Sequence, residues 1–386
     1  MHRRHYLLSL AALLMFTTLT AAADKIARVY VGTYTTGDSK GIYTFELDLE
    51  SGQATEPKLA AELRNPSFLA FDPTHKYLFA VNEVADFPGV PPGPRGAGGV
   101  TSFRIDAATG QLTKLNDQLS GGGGPCHLSV DATGKNVLVA NYGGGSVAVL
   151  PINADGTLKP ASSFIQHEGT SVDPRRQEGP HAHSVNLSAD NKFAFVADLG
   201  LDKVLIYRFD AEQGKLTPND PPFAQVKPGG GPRHFAFHPN GKFAYTNNEM
   251  TLVETAFSYN AAAGSLTPVQ DISTLPADAN RDGASTAETL AHPSGKFLYV
   301  SNRGHGTIAI FQIQANGQLK AAGHAPSGGK VPRNFGMDSQ GKFLLSANQD
   351  NAVIRVSKIN QDSGALEPTG QELHVPNPVC VRMFIK

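Results

Sequence analysis

The chain has 386 residues, of which 40% are hydrophobic, enough for a packed core and too many for a mainly disordered protein. Its 33 Lys and Arg against 34 Asp and Glu leave a formal net charge of -1, without the basic excess typical of nucleic-acid-binding proteins. The 40 Gly and 26 Pro, with only 17% charged residues, indicate a chain that turns often. This composition favours a many-stranded β fold over a helical bundle.

The N-terminus has the pattern of a secretory signal peptide. A basic start at residues 2–5 precedes an uncharged apolar run at residues 7–19 and three alanines at residues 21–23. The apolar run is shorter than the ~20 residues that span a bilayer. The sequence therefore predicts a signal peptide over residues 1–23 and a mature single domain over residues 24–386. We expect this domain to be periplasmic or secreted, monomeric and free of membrane and nucleic-acid contacts.

One repeat organises the rest of the chain. A turn residue and a Lys precede a short apolar run, which ends in Asn or Asp seven residues after the turn residue. The six copies end at Asn82, Asn141, Asp198, Asn248, Asn302 and Asn348. Their lysines are 46 to 59 residues apart. A fixed period near 50 residues is typical of a solenoid or a propeller.

Each copy has the pattern of four short antiparallel strands. An apolar strand precedes the turn, a second follows it, and a third alternates apolar residues, as at residues 146–150 and 307–311. A Gly-x-Leu turn then recurs, as at Gly110 and Gly156, before a more variable fourth strand. Four antiparallel strands per repeat predict a propeller blade. No stretch between the strands has a helical period, which argues against a Rossmann or barrel fold.

The two ends of the chain are predicted to share a blade. Residues 29–34 and 41–47 resemble second and third strands without a first strand, and residues 377–384 resemble the missing first strand. The sequence therefore predicts an all-β, seven-bladed propeller without an open edge. In this arrangement one blade separates Cys126 from Cys380. We expect no disulfide, because bridged Cα atoms must lie within about 7 Å.

The repeat also predicts where a site can form. The start of each first strand and the end of each second strand share one rim of the central channel, because the two strands are antiparallel neighbours. The repeated Asn is interpreted as scaffold, whereas the positions around it differ between blades and are mostly polar. The predicted site residues in these positions are His127, Tyr142, His183, Arg233, Glu249, Glu288, Arg303, Arg333 and Gln349. Arg176, in a long loop over residues 166–179, is predicted to reach the same rim, and so is Arg175.

This set of side chains favours an anionic or carbonyl-rich small molecule. His183 or Glu249 is a candidate general base toward water. Arg233 or Arg303 is a candidate for stabilising an oxyanion. The sequence contains no Gly-x-Ser-x-Gly elbow and no P-loop, so a serine hydrolase or an NTPase is unsupported.

Several segments resemble the seven-bladed propeller lactonase family, which includes propeller-type 6-phosphogluconolactonases and carboxy-muconate cycloisomerases. The resemblance lies in residues 30–34, 179–185, 231–235, 248–249, 301–305 and 332–335. It implies lactone chemistry without a required metal or cofactor, with His183, Arg233, Glu249 and Arg303 as the catalytic set. The remaining rim residues, His127, Tyr142, Arg176, Glu288, Arg333 and Gln349, are then predicted to bind the substrate.

Three functions stay open from the sequence. The first is a hydrolase of a free or phosphorylated sugar lactone. The export signal favours a lactone outside the cytoplasm. A cycloisomerase would use the same residues as this hydrolase. The second is a non-catalytic ligand-binding propeller. The third is a metal-dependent lactonase with Ca²⁺ near Glu83, Asn141, Asp198 or Glu249. A Pro/Gly-rich insertion over residues 86–99 is predicted to cover part of the funnel.

Overall fold

The computed structural model describes residues 25–89 and 96–386. The predicted signal peptide lies outside the described residues. The described part contains 28 β-strands and no helix. It accordingly contains no helix with the length and apolarity needed to cross a membrane.

The strands form seven four-stranded sheets, and each sheet is one blade. The chain begins with three strands of the closing blade, β1 (Ile26–Thr33), β2 (Gly41–Asp48) and β3 (Lys58–Glu62). Blade 1 has β4 (Leu69–Phe71), β5 (Tyr77–Asn82), β6 (Gly99–Ile105) and β7 (Leu112–Leu119). Blade 2 has β8 (Pro125–Val130), β9 (Asn136–Asn141), β10 (Ser146–Pro151) and β11 (Ser163–Gln166). Blade 3 has β12 (Ala182–Leu187), β13 (Phe193–Asp198), β14 (Lys203–Asp210) and β15 (Lys215–Gln225).

The remaining blades follow the same order. Blade 4 has β16 (Pro232–Phe237), β17 (Phe243–Asn248), β18 (Val253–Asn260) and β19 (Ser265–Ser273). Blade 5 has β20 (Ser285–Ala291), β21 (Phe297–Arg303), β22 (Thr307–Ile313) and β23 (Leu319–Pro326). Blade 6 has β24 (Pro332–Met337), β25 (Phe343–Asn348), β26 (Val353–Ile359) and β27 (Leu366–His374). The last strand, β28 (Pro378–Ile385), pairs with β1 and completes the closing blade.

The innermost strands contact one another in ring order, from β4 through β8, β12, β16, β20 and β24 to β28 and back to β4. The ring is closed as predicted, because Val31 on β1 pairs with both Val381 on β28 and Tyr43 on β2. The seven-bladed all-β fold is therefore confirmed. Cys126 and Cys380 are both buried and free, as the blade order requires.

Apolar side chains between neighbouring blades hold the ring together. Leu138 and Val149 of blade 2, for example, share one buried cluster with Val185 and Val196 of blade 3. The second strand of a blade has neighbours on both faces, and every residue of β9 is buried. Such strands have continuous apolar sequences because both of their faces are covered.

The repeated turn residue has a conformational reason. His75, Gly134 and Asn191 have φ values of 56°, 69° and 61°, in the left-handed region that Gly and Asn tolerate best. An acidic side chain stabilises the same turn from inside. In blade 2, Asp131 Oδ1 accepts hydrogen bonds from the N–H groups of Lys135 at 2.8 Å and Asn136 at 2.7 Å.

The repeated Asn joins several blades to the preceding one. Asn141, Asn302 and Asn348 donate through Nδ2 to the carbonyl groups of Ser120, Thr274 and Ser327, each of which follows the outer strand of the preceding blade. In blade 3 the position holds Asp198, and its partner is correspondingly a donor: His167 Nδ1 lies 2.6 Å from Asp198 Oδ2. These side chains are scaffold, as the sequence pattern indicated.

Candidate active site

The candidate site lies at the mouth of the channel where first strands begin and second strands end. His183, Arg233 and Arg333 lie near the starts of β12, β16 and β24, whereas Glu249 follows β17 and Arg303 ends β21. A cavity of about 210 Å³ opens there. Its lining residues are Glu83, Cys126, Tyr142, Arg176, His183, Glu249, Arg303 and Arg333. We call it the rim cavity.

A β-bulge brings these side chains into the channel. The pairing between first and second strands shifts register between Pro125 and His127, Ala182 and Ser184, and Pro332 and Asn334. The residues that the bulges insert are Cys126, His183 and Arg333, and all three line the rim cavity. Bulges are common beside active sites because the extra residue turns a side chain away from its regular direction.

Glu249 is held by three arginines. Its Oε2 accepts hydrogen bonds from Arg233 Nε at 3.0 Å and lies 3.0 Å from Arg303 Nη2, and its Oε1 accepts one from Arg176 Nη2 at 2.7 Å. Burial raises the pKa of Glu249, but the three guanidinium groups outweigh it and lower the pKa to about 2. Glu249 is therefore ionised and a weak base. Its contacts fix the positions of the three guanidinium groups.

His183 is a neutral imidazole in the wall of the rim cavity. Burial, together with the charge of Arg233, lowers its pKa well below the ordinary value. Its Nδ1 lies 3.7 Å from Sγ of Cys126, and the same Sγ lies 3.3 Å from the His183 carbonyl oxygen. Burial raises the pKa of Cys126, so this thiol keeps its proton. A neutral imidazole that lines a cavity has the acceptor nitrogen that a general base requires.

The arginines differ in what they can offer a ligand. Arg233 is buried below the rim cavity between Glu249 and the Ala287 carbonyl group, and burial lowers its pKa to about 10. Arg303 lines the cavity and donates through Nη2 to the Thr286 carbonyl group at 2.8 Å. Its buried Nε has no hydrogen-bond partner in the described part of the chain. Arg303 therefore places a guanidinium group in the cavity wall, while its Nε is inaccessible to solvent.

Arg176 reaches the cavity from the loop between blades 2 and 3, and its side chain is 42% exposed. Two carboxylates anchor this loop. Asp198 contacts His167 and accepts a hydrogen bond from the His181 N–H at 2.8 Å. Asp202 accepts hydrogen bonds from Ser171 Oγ at 2.5 Å and Gln177 Nε2 at 2.7 Å. The loop is thus fixed at both ends and in the middle, while Arg176 projects over the cavity.

A second polar cluster lies on the opposite wall. Arg333 Nη2 donates to the Tyr34 hydroxyl oxygen at 2.8 Å, and the Tyr34 O–H donates to Glu83 at 2.9 Å. Ser67 Oγ also donates to Glu83. The Arg333 guanidinium lies 5.1 Å from the centre of the Tyr34 ring, within the range of a cation–π contact. These contacts fix the carboxylate of Glu83 at the cavity wall.

Comparison with known proteins agrees with this fold. The sequence profile of the family described as Lactonase, 7-bladed beta-propeller matches residues 28–383. The chain belongs to this family.

Individual relatives cover nearly the same length. A 6-phosphogluconolactonase from Bacillus subtilis is 38% identical over 356 residues, 92% of this chain and 97% of the relative. Another 6-phosphogluconolactonase, from Formosa agariphila, is 35% identical over 92% of this chain and 99% of the relative. The solved structure of a periplasmic gluconolactonase from Pseudomonas aeruginosa has a TM-score of 0.85 and 34% identity, covering 93% of this chain and 99% of that one. The family predicted from the sequence is confirmed.

The propeller lactonase fold brings most of the predicted site residues together, but not all. His183, Glu249, Arg303, Tyr142, Arg176 and Arg333 line the rim cavity, and Arg233 lies directly beneath it. Arg175 is exposed and does not line the rim cavity. The oxygens of Glu249 pair with three arginines and no hydrogen bond joins Glu249 to His183 in the described structure, so its role as a candidate general base stays a prediction.

Three predicted substrate-binding residues lie away from the cavity wall. His127 packs its ring 4.0 Å from the Phe68 ring, deeper in the channel. Glu288 is buried against His234, whose Nδ1 lies 2.7 Å from Glu288 Oε1. Gln349 donates its N–H to the Val331 carbonyl group and does not line the rim cavity. His127 and Glu288 each lie at the end of a bulge and point to a lower layer of the channel, a difference in depth that the repeat spacing does not show.

Sequence reasoning also missed residues that line the site. Glu83 and Cys126 line the rim cavity, and Tyr34 and Ser67 support Glu83. All four occupy the same rim positions of the repeat as the residues that were selected. The available signal was therefore the position itself, not the residue type.

Glu249 and Asp198, two of the four side chains considered for a calcium site, do not fit one. Glu249 is surrounded by three guanidinium groups, which would repel a cation, and Asp198 is buried against His167. Asn141 is held by Ser120 and Ser146. In the part of the chain that the structure describes, no three His, Cys, Asp or Glu side chains are grouped to hold a metal.

The described residues of the insertion, 86–89 and 96–99, leave from the rim that carries the site, and Asp86 forms a bridge with Ala97. None of them lines the rim cavity. Residues 90–95 lie outside the described residues, so cover of the funnel by this insertion stays a prediction.

Proposed function

We propose that this protein is a carboxylic-ester hydrolase that opens a sugar lactone, free or phosphorylated, in the rim cavity. The observation that carries the proposal is a neutral buried imidazole, His183, in a cavity surrounded by four guanidinium groups and only two carboxylates. The excess of two positive charges suits a substrate that carries an anion or develops one on a carbonyl oxygen. The names of the relatives, 6-phosphogluconolactonase and gluconolactonase, support the same substrate class.

The reaction begins with water between His183 and the ring carbonyl group of the lactone. His183 accepts a proton from this water as its oxygen bonds to the carbonyl carbon. The carbonyl oxygen becomes an oxyanion, which the guanidinium group of Arg303 stabilises from the cavity wall. When the ring C–O bond breaks, the His183 imidazolium returns the proton to the ring oxygen. The product is the open-chain hydroxy acid, and its carboxylate remains near the arginines until release.

Arg176 is suited to bind an anionic group remote from the ring carbonyl. It is the half-exposed guanidinium of the cavity, and its contact with Glu249 is the kind of pair that a phosphate can replace. A phosphorylated lactone would thus bind with its phosphate toward the blade 2–blade 3 loop. A free sugar lactone would use the same cavity without this contact.

We also propose an extracytoplasmic location. The proposal rests on the signal-like pattern of residues 1–23. The similarity to a periplasmic gluconolactonase supports it. The test is a fusion of this chain to a reporter enzyme that folds only outside the cytoplasm. Reporter activity then shows that the fusion is exported.

The decisive test is hydrolysis of a lactone panel by purified residues 24–386, with and without a chelator. D-glucono-δ-lactone and 6-phospho-D-glucono-δ-lactone are the first substrates, and the uncatalysed rate is subtracted. We expect turnover that a chelator does not abolish. Absence of turnover on the whole panel, with binding retained, would favour a ligand-binding propeller, and formation of a lactone from a muconate would favour a cycloisomerase.

A further inference from the structure

The rim cavity contains two carboxylates with different surroundings. Glu249 is bound by Arg176, Arg233 and Arg303. Glu83 lines the same cavity, and its hydrogen-bond partners are the hydroxyl groups of Tyr34 and Ser67. Among the described residues, no Lys, Arg or His nitrogen forms a salt bridge with Glu83. Its charge is therefore not neutralised by direct pairing.

Glu83 has acceptor capacity left for a ligand. A carboxylate offers about four lone-pair sites on two oxygens. Tyr34 and Ser67 each supply one O–H, so the remaining sites are free for donors from the cavity. The guanidinium groups of the wall, those of Arg176, Arg303 and Arg333, are donors only, and the carboxylate of Glu249 is already paired with arginines. The wall is thus divided into guanidinium donors and one fixed carboxylate with acceptor capacity left.

Such a division matches a polyhydroxylated ring. A lactone presents its carbonyl oxygen as an acceptor, which the arginines bind, whereas the hydroxyl groups of a sugar lactone are donors that need an acceptor. Tyr34 is itself held by Arg333 at 2.8 Å, so the acceptor does not have to rearrange on binding. Preorganised hydrogen bonding to hydroxyl groups gives strong discrimination, because a buried polar group is left unpaired when the hydroxyl is missing.

We propose that Glu83 is a specificity-determining residue that selects polyhydroxylated lactones by accepting hydrogen bonds from their ring hydroxyl groups. Ser67, Tyr34 and Arg333 are positioning residues for its carboxylate. This inference rests on the proposed lactonase function, and it adds the feature by which the cavity distinguishes a sugar lactone from a simple cyclic ester.

The test compares D-glucono-δ-lactone with δ-valerolactone, which has the same six-membered ring without hydroxyl groups. Wild-type kcat/KM should favour the hydroxylated ring by at least about 10-fold, the effect of one hydrogen bond to a charged group. Glu83→Gln should lower kcat/KM for D-glucono-δ-lactone by about 10- to 100-fold and change that for δ-valerolactone less than about 3-fold. Glu168→Gln, an exposed change of the same type, is the matched control.

Other results would overturn the inference. If wild-type protein hydrolyses both lactones equally, Glu83 does not select hydroxyl groups, although the lactonase proposal stands. This comparison uses only wild-type protein, so it does not depend on the folding of a variant. If Glu83→Gln slows both lactones by the same factor, Glu83 transfers the proton instead of choosing the substrate. If neither lactone is hydrolysed by wild-type protein, nor any other on the panel, the proposed function fails and the inference with it. Ser67→Ala keeps the carboxylate and should reduce the selectivity by a smaller factor.

Discussion

Oε2 of Glu249 accepts a hydrogen bond from Nε of Arg233 at 3.0 Å, and both side chains are almost completely buried. This pair forms the floor of the rim cavity and determines which groups are left for chemistry. With its oxygens bound by arginines, the carboxylate is an electrostatic anchor, and we propose that proton transfer depends on other residues. The same pair makes the site sensitive to loss of either partner, since an uncompensated buried charge is costly.

Glu249→Ala is therefore expected to destabilise the protein by about 3–5 kcal/mol, the usual cost of breaking a buried ion pair. Chemical denaturation of the variant and of Glu168→Gln, the exposed control, measures the effect. Glu249→Gln keeps the shape of the side chain and should keep the wild-type pH profile of any remaining activity. Loss of the acidic limb of that profile in Glu249→Gln would identify Glu249 as the base after all.

His183→Asn should lower kcat by about 10²–10⁴, the contribution of general base catalysis. The imidazole must be neutral to accept a proton, so activity is present above its pKa and lost as the pH falls through it. Because burial holds that pKa well below 6.5, kcat/KM should stay level between about pH 6.5 and 8 and decrease only at lower pH. Stopped-assay rates over this range check the profile.

Wild-type rates in His183→Asn would reject the assignment of His183 as the general base. Together with wild-type rates in Glu249→Ala, they would move the search for the base to Glu83 on the cavity wall and to His127 and Glu288 below it. A half-maximal rate above pH 6.5 in the wild-type protein would also contradict a neutral, buried His183.

Arg303→Ala should lower kcat by about 10²-fold or more, because it removes a donor placed for the oxyanion. KM should change less, since the lost interaction is made mainly in the transition state. Arg303→Lys keeps the positive charge but removes the guanidinium group. It therefore separates the contribution of the charge from that of the guanidinium hydrogen bonds. An increase in KM with unchanged kcat would mean that Arg303 only binds the substrate.

Arg176→Ala should act on binding instead. We expect KM for 6-phospho-D-glucono-δ-lactone to rise by about 10-fold or more with little change in kcat, because a hydrogen bond to a charged group contributes ~1.5–3 kcal/mol. KM for the unphosphorylated lactone should change little. Arg175→Ala, on the exposed neighbour in the same loop, is the control. Equal effects on both lactones would argue against a phosphate contact.

Deletion of residues 377–386 removes β28 and exposes the inner edge of the closing blade. Val381 and Val379 are buried in the ring, so we expect the entire propeller to lose stability and not only one blade. The unfolding temperatures of the truncated and full-length proteins measure this loss of stability. An unchanged unfolding temperature would contradict closure by β28.

The sequence by itself determined the fold and the rim that carries the site. A turn, a strand and an Asn recurring at a constant interval are enough to count blades, because each blade makes the same local contacts. The unpaired ends, without a first strand at residues 29–47 and with an extra one at residues 377–384, specify the closure. Antiparallel pairing then places the start of one strand beside the end of the next, so His183 and Arg303 could be assigned to one rim.

Only the tertiary structure decided which rim residues share the cavity and what they bind there. The bulges at Cys126, His183 and Arg333 separate the cavity wall from the layer below, where His127 and Glu288 lie. The partners of Glu249 come from blade 4, blade 5 and a loop 73 residues away, so its ion pairs have no local sequence signal. Burial and these charges, which depend on every blade being in place, pair Glu249 with arginines, whereas Glu83 accepts hydrogen bonds from hydroxyl groups.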